Sequence, residues 1–356
     1  MLPGGVYIYI LMVHFLSTGK MLVRNKVVLR MSKIITLTFN PCIDKNTTID
    51  KLLPEKKLRC SPPTFGPGGG GINVTRAIKN LGANATAVFP AGGYSGKFLT
   101  YLMEQENLPF MPVETSTHTR ENFIAVDEES GHQYRFGMPG NPIAELEWKA
   151  LLHEVEKSDA EFIVASGSLL PGMPLDIVGQ LAHIAKLKGA KLIIDTSGEA
   201  LRKALDEGVY LLKPNLGELS SLVGEDEVTD ERAEAIAKEI ISRGQCEIIV
   251  VSMGEMGAKM ITKDQVIHVI PPTVERVSTL GAGDSMVAGM VLALAQKRNL
   301  EEVLQYGVAC GTAATITYGS ELCRKEDVDR LFEMIKASGP SQAPPKEGFS
   351  QRTEPA

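Results

Sequence analysis

The chain has 356 residues, 44% hydrophobic and 22% charged, which suits a globular protein with a sizeable core of its own. Its net charge of -6 offers no broad basic face for nucleic acid, so any phosphate chemistry must rest on local groups. Five cysteines, Cys42, Cys60, Cys246, Cys310 and Cys323, are scattered without a C-x-x-C pair and read as free thiols in a reducing cytosol.

The apolar run Val6 to Leu16 falls short of the ~20 residues of a membrane span and has no basic segment before it. No membrane partner is expected from it. The chain restarts at Met31, where SKIITLTFN has the β-branched alternation of a first strand, so residues 1–30 read as an upstream extension and 31–337 as the working domain. The last residues, 338–356, are rich in Pro, Ser and charge, and a disordered tail is expected there.

FGPGGGGINVTRA, Phe65 to Ala77, runs bare backbone into a helix, and Gly66, Gly68 and Gly71 satisfy G-x-G-x-x-G. A dinucleotide site and an NAD-dependent oxidoreductase would follow, but the flanks disagree. CSPPTFGP stands where a buried strand is needed, and no Asp or Glu occurs between Lys56 and Met103 to meet a ribose hydroxyl. Lys56, Lys57, Arg59, Arg76, Lys79 and Lys97 do occur there. A glycine loop in a locally cationic segment suits an anion or a hydroxyl-rich ligand; a purely structural loop is equally compatible.

Asn122 to Phe136 reads as a hairpin about an acidic turn at Glu128 to Gly131, and with Thr47 to Cys60 it could form a small outlying sheet. Such a sheet, with exposed edges, needs covering by a ligand or a second copy, which suggests a lid and a dimer. From Glu161, strands EFIVAS, KLIIDT, LLKPN and EIIVVS alternate with helices near Leu175 to Leu187 and Asp230 to Arg243. That rhythm predicts a parallel sheet with crossover helices, and function at the carboxyl ends of its strands.

In STLGAGDSMVAGMVLALA, Val287, Met290, Val291 and Leu294 recur at helical spacing, placing Gly281 to Gly283 at a helix N-terminus with Asp284 in its first turn. A lone acidic residue there is usually no more than a favourable helix start. Glycines beside it leave N–H donors open next to a carboxylate, the pair that phosphoryl transfer to a hydroxyl requires.

GGGINVT, Gly69 to Thr75, followed by Gly82 and Gly92, together with STLGAGDSMVAG, resembles the two signatures of the ribokinase-like PfkB family of sugar kinases. The likeness spans Lys33 to Ile335. EKKLRC, YRFGMPG, SGSLLPG, DTSGEAL and LKPN are most similar to its minor-type 6-phosphofructokinase branch. The resemblance implies a three-layer α/β/α fold with a mostly parallel sheet and a β lid near residues 44–60 and 120–137. It implies transfer from ATP to fructose 6-phosphate; fructose 1-phosphate and tagatose 6-phosphate stay open as acceptors.

By the same resemblance, Asp284 is the base, and Gly281, Ala282 and Gly283 form the anion hole. Asp44, Gly69, Gly70, Asn73 and Ser168 face the sugar. Arg120 and Lys57 hold its phosphate, with Arg59 reaching across a dimer interface. Lys213, Asn215, Ser252 and Gly254 serve ATP, and Glu218 places Mg2+ through water. Small residues Gly311, Ala313 and Ala314 admit the adenine, and Ser278 and Leu280 lie near a monovalent cation such as K+.

Overall fold

The computed structural model describes residues 33–317 and 321–338, with the backbone of two short segments further upstream. Those segments, β1 (Val13–Phe15) and β2 (Met21–Val23), pair antiparallel with each other. Otherwise the expected extension 1–30 lies outside the described residues, as does the expected tail from 339 onward.

In chain order there follow β3 (Ile34–Leu37), β4 (Cys42–Ile49), β5 (Thr64–Gly68), α1 (Gly70–Asn80), β6 (Thr86–Gly92), α2 (Gly93–Gln105), β7 (Phe110–Thr115), β8 (Arg120–Asp127) and β9 (Gln133–Phe136). The second half holds α3 (Glu145–Lys157), β10 (Phe162–Ser166), α4 (Ile177–Lys188), β11 (Lys191–Asp195), α5 (Gly198–Glu207), β12 (Val209–Leu212), α6 (Leu216–Val223), α7 (Asp230–Ser242) and β13 (Cys246–Ser252). The antiparallel strands β14 (Ala258–Ile261) and β15 (Val266–Val269), then α8 (Ala282–Ala295), α9 (Leu300–Thr315) and α10 (Lys325–Ala337), complete it.

A nine-stranded sheet runs β15-β14-β13-β12-β11-β10-β3-β6-β7, parallel from β13 to β7. Its inner strands are buried on both faces, which is why their sequences are apolar without a break. Alternate side chains divide between two cores: Ile35, Leu37, Ile163 and Ala165 pack on one face against α3 and α4, while Ile34, Phe162 and Val164 pack on the other against α1 and α8. The sequence pattern predicts a one-sided α8, but every residue from Ser285 to Leu294 is buried. Placed between α1 and α9, this helix is enclosed on all sides.

A second sheet, β5-β4-β8-β9, stands apart. Its central pair, β4 and β8, is parallel, and its outer pairs are antiparallel. The hairpin at 122–136 is present as β8 and β9. The expectation for 47–60 needs correction: the strand there begins at Cys42 and ends at Ile49, and 50–59 contains no strand. The sheet's fourth strand is β5, inside the glycine-rich stretch itself. Pro67 can serve there because β5 is an edge strand. A strand therefore does precede α1, but it is an outlying antiparallel one, so the dinucleotide reading still has no parallel strand to stand on. No helix among the described residues is long and apolar enough to cross a membrane.

Candidate active site

The carboxyl ends of β3, β10, β11, β12 and β13 open toward the N-terminus of α8, and the candidate groups converge there. Gly281 has φ 70 and caps α8; this left-handed backbone turns the chain sharply into the helix. The N–H groups of Gly281, Gly283 and Asp284 have no acceptor among the described residues, and that of Ala282 has only a long contact of 3.5 Å to the Thr279 carbonyl. A helix start with open donors is an anion site in waiting.

Asp284 sits beside these donors. Asn73 Nδ2 donates to its Oδ2 at 2.9 Å, and Ser166 Oγ donates to its Oδ1 at 3.4 Å. Burial, then the nearby charge of Asp195, pushes its carboxyl up to about 6, against the opposing pull of Asn73, Lys213 and Ser166. Such a group is ionised at neutral pH yet basic enough to take a proton. Asp195 is itself held by Lys213 Nζ at 3.0 Å, with both side chains largely buried. Burial works against the Lys213 charge, but Asp195, Glu218 and Asp284 outweigh it and hold the ammonium above its usual range. The ammonium lies close to the helix start, 3.6 Å from where a Cβ on Gly283 would stand.

On one side of Asp284 lies a cavity of about 430 Å3, lined by Ser252, Gly254, Thr279, Ala282, Gly283 and Gly311 among others. This is large enough for a nucleotide base and sugar. Gly311 lines it as the sequence suggested. Ala313 and Ala314 do not: both are fully buried in the core between α8 and α9. Asn215 and Glu218 form a capping box on α6, Asn215 Oδ1 accepting from the Glu218 amide and Glu218 Oε2 accepting from the Asn215 amide. One Glu218 carboxylate oxygen is thereby committed to the backbone. No group of three His, Cys, Asp or Glu among the described residues could cage a metal. The donor set fits a hard cation carried by phosphates and reached through water. The carbonyls of Ser278 and Leu280 accept no hydrogen bond among the described residues, and bare oxygens of this kind fit a monovalent cation.

On the other side of Asp284 lies the small sheet. Asp44, 8% exposed on β4, accepts from Asn122 Nδ2 at 3.0 Å. A Cβ on Gly68 would stand 2.4 Å from Asp44 Oδ2, and one on Gly70 would stand 2.2 Å from Ser166 Oγ, so these glycines admit side chains rather than pyrophosphate. Gly69 (φ 109) is the N-cap of α1 and directs Asn73 at Asp284.

Arg120 donates to the carbonyls of Asn40 and Met138 at 3.1 and 3.0 Å, while its Nε is buried without a partner. No carboxylate among the described residues pairs with it, and the Asn40 Oδ1 nearby is also buried and unpartnered. An unneutralised guanidinium with an unpartnered N–H fits an anion, and the unpartnered Asn40 Oδ1 fits a ligand hydroxyl. Asn40 Nδ2 donates to Ser168 Oγ at 3.1 Å, bringing Ser168 into the same group.

Lys57 and Arg59 are not brought together with the rest; both are exposed on the 50–60 loop, without a polar contact to these residues. Arg76 belongs elsewhere, in a two-pronged contact at 2.8 Å with Glu106, just beyond the acid-free stretch. Sequence reasoning missed Ser166, Asp195, Asn40 and Asn122 as site members. The first three lie at or just past the carboxyl ends of parallel strands, and that position was the available signal. Asn122 is opposite Asp44 in a parallel register that nothing local in the sequence announces.

A pfkB family carbohydrate kinase profile matches residues 36–327. The ATP-dependent 6-phosphofructokinase isozyme 2 of Escherichia coli K12 is 45% identical over 307 residues, covering 86% of this chain and 99% of the relative. The 1-phosphofructokinase of Bacillus subtilis is 31% identical over 306 residues, covering 86% and 99%. Crystal structures of the E. coli phosphofructokinase-2 superpose with a TM-score of 0.83 in complex with potassium, at 44% identity, and 0.81 in complex with fructose-6-phosphate, at 43%. Each covers 86% of this chain and 100% of the solved one. The fold is ribokinase-like, that of a sugar kinase. The chain belongs to the pfkB family of carbohydrate kinases.

Proposed function

We propose that this chain is an ATP-dependent phosphofructokinase, moving the γ-phosphoryl of ATP to the free primary hydroxyl of fructose 6-phosphate. The observation that carries this reading is the position of Asp284. Its carboxylate lies beside open helix N–H groups, between a nucleotide-sized cavity and the Asp44–Arg120 group. Asp44 and Asn73 orient the sugar, and Arg120, with Ser168 near it, faces the phosphate already present. Asp284 takes the hydroxyl proton as the new O–P bond forms and the bond to ADP breaks. Gly281, Ala282 and Gly283 donate to the charge that builds on the transferring group, and Lys213 supports it.

Glu218 would hold a nucleotide-bound Mg2+ through water, and that ion would supply neutralising charge on the phosphates; Asn215, Ser252 and Gly254 line the same end. K+ beside Ser278 and Leu280 would steady the loop that presents the anion hole. The preference for fructose 6-phosphate is supported by the greater identity to the 6-phosphofructokinase than to the 1-phosphofructokinase.

The small sheet acts as a lid and as the dimer surface. Leu53, Phe136 and Met138 are exposed on it or beside it, and a second copy covering them would bring Lys57 and Arg59 toward a neighbouring sugar phosphate. The working unit is 31–337, acting in the cytosol. The test is a coupled assay comparing kcat/KM for fructose 6-phosphate, fructose 1-phosphate and tagatose 6-phosphate. Preference for the first is expected, and a clear preference for either other sugar refutes the assignment.

A further inference from the structure

Asp44 is held in place by an unusual neighbour. Cys42, two residues earlier on β4 and therefore on the same face, is 2% exposed. Its thiol donates to Asp44 Oδ1 at 3.3 Å and accepts from Asn122 Nδ2 at 3.1 Å, while the same Asn122 amide donates to Asp44 Oδ1 at 3.0 Å. Both bonds fall on one carboxylate oxygen. Oδ2 accepts nothing among the described residues and faces Gly68, whose missing side chain keeps that space clear; a Cβ there would touch Asp44 Oδ2 at 2.4 Å and Cys42 Sγ at 2.7 Å.

We propose that Cys42 is a positioning residue of the sugar site: with Asn122 it fixes one oxygen of Asp44 so that the other is presented to sugar hydroxyls. This rests on the reading of Asp44 as a sugar ligand. Burial, and next the Asp44 charge, push the thiol well above its usual range, so it remains protonated and can only act as a donor toward the carboxylate. A cysteine that merely filled space would tolerate any apolar residue of similar size and would resent a hydroxyl. A positioning donor has the opposite preference.

The test uses the full chain with Cys42→Ala, Cys42→Val, Cys42→Ser and Asp44→Asn, measured by steady-state kinetics with both substrates varied. Removing the donor in Cys42→Ala raises the KM for fructose 6-phosphate about three- to tenfold, with the KM for ATP and kcat little changed. Cys42→Val fills the space without a donor and gives the same rise, which keeps the result readable if the alanine variant folds poorly. Cys42→Ser restores the wild-type KM. An unchanged sugar KM in both apolar variants, or a serine variant as impaired as they are, overturns the proposal while a strong Asp44→Asn effect leaves the sugar-ligand reading standing. An Asp44→Asn enzyme with normal sugar KM overturns both.

Discussion

Asn73 and Asp284 stand 211 positions apart, yet the Asn73 amide donates to the Asp284 carboxylate at 2.9 Å. The glycine-rich entry to α1 and the glycine-rich entry to α8 thus meet through this hydrogen bond. Neither stretch is a site alone: in the proposed reaction one aims side chains toward the sugar, and the other supplies the base and the open N–H groups.

Asp284→Asn should lower kcat by at least ~10²-fold and leave ATP binding nearly intact, since a general base acts only on the chemical step. Single-turnover rates alongside ATP titration calorimetry would check this. Near-normal turnover would remove Asp284 from its role.

The same carboxyl fixes two pH dependences. On the proposed role as base its charged form is the active one, so kcat/KM should fall as pH drops through about 6. For stability the sign reverses. A folded pKa of about 6 exceeds the ordinary ~3.9 of an unfolded aspartate, so the folded form holds more proton between those values and loses stability as pH rises through them. Asp284→Asn removes that cost. Its Tm should exceed wild type by a few degrees at pH 8, with the gap closing near pH 4. Equal gaps at both pH values would contradict the burial account.

Lys213→Met should cost about 3 kcal/mol in urea denaturation, because it leaves Asp195 buried without its partner. It also removes a positive charge that opposes the upward shift of Asp284, so the acid limb of kcat/KM should move to higher pH. A limb that stayed in place would show Lys213 to be electrostatically remote from the base.

Gly68→Ala and Gly311→Leu should separate the two halves of the site. A Cβ at Gly68 meets Asp44 Oδ2, so the sugar KM should rise at least ~10-fold, with the ATP KM spared. Gly311 lines the nucleotide cavity, where a Cβ already comes within 3.3 Å of the Ala282 carbonyl oxygen. Leucine there should raise the ATP KM on the order of tenfold and spare sugar binding. Each substitution disturbing the other substrate equally would mean that the halves are not independent.

Much of this arrangement was legible in the chain because local chemistry determines it. Apolar runs ending in polar turns revealed the parallel strands of the second half, and glycines before apolar positions at helical spacing revealed the start of α8. What stayed hidden depends on distant pairing. β5 was obscured because its proline and glycines argue against an interior strand, and only its edge position permits them. Asn122 and Asn40 become site residues through the parallel register of β4 with β8 and through the backbone held by Arg120. Ala313 and Ala314 are small for the sake of helix packing, and smallness alone does not distinguish a slot from a seam.

Gly69 is all that separates the last residue of β5 from the first of α1. A Cβ on it would lie 3.1 Å from the Cα of Pro41, where the chain first passes from the large sheet into the small one. The two other passages, before β8 and after β9, are tied as well: Asn141 Nδ2 donates to the His118 carbonyl at 2.7 Å, and Arg120 reaches the carbonyls of Asn40 and Met138. All four crossings therefore share one narrow neck. If the small sheet rocks as the proposed lid would, it pivots there and pulls on the turn that carries Asn73, coupling the proposed grip on the sugar to the set of the Asp284 carboxylate.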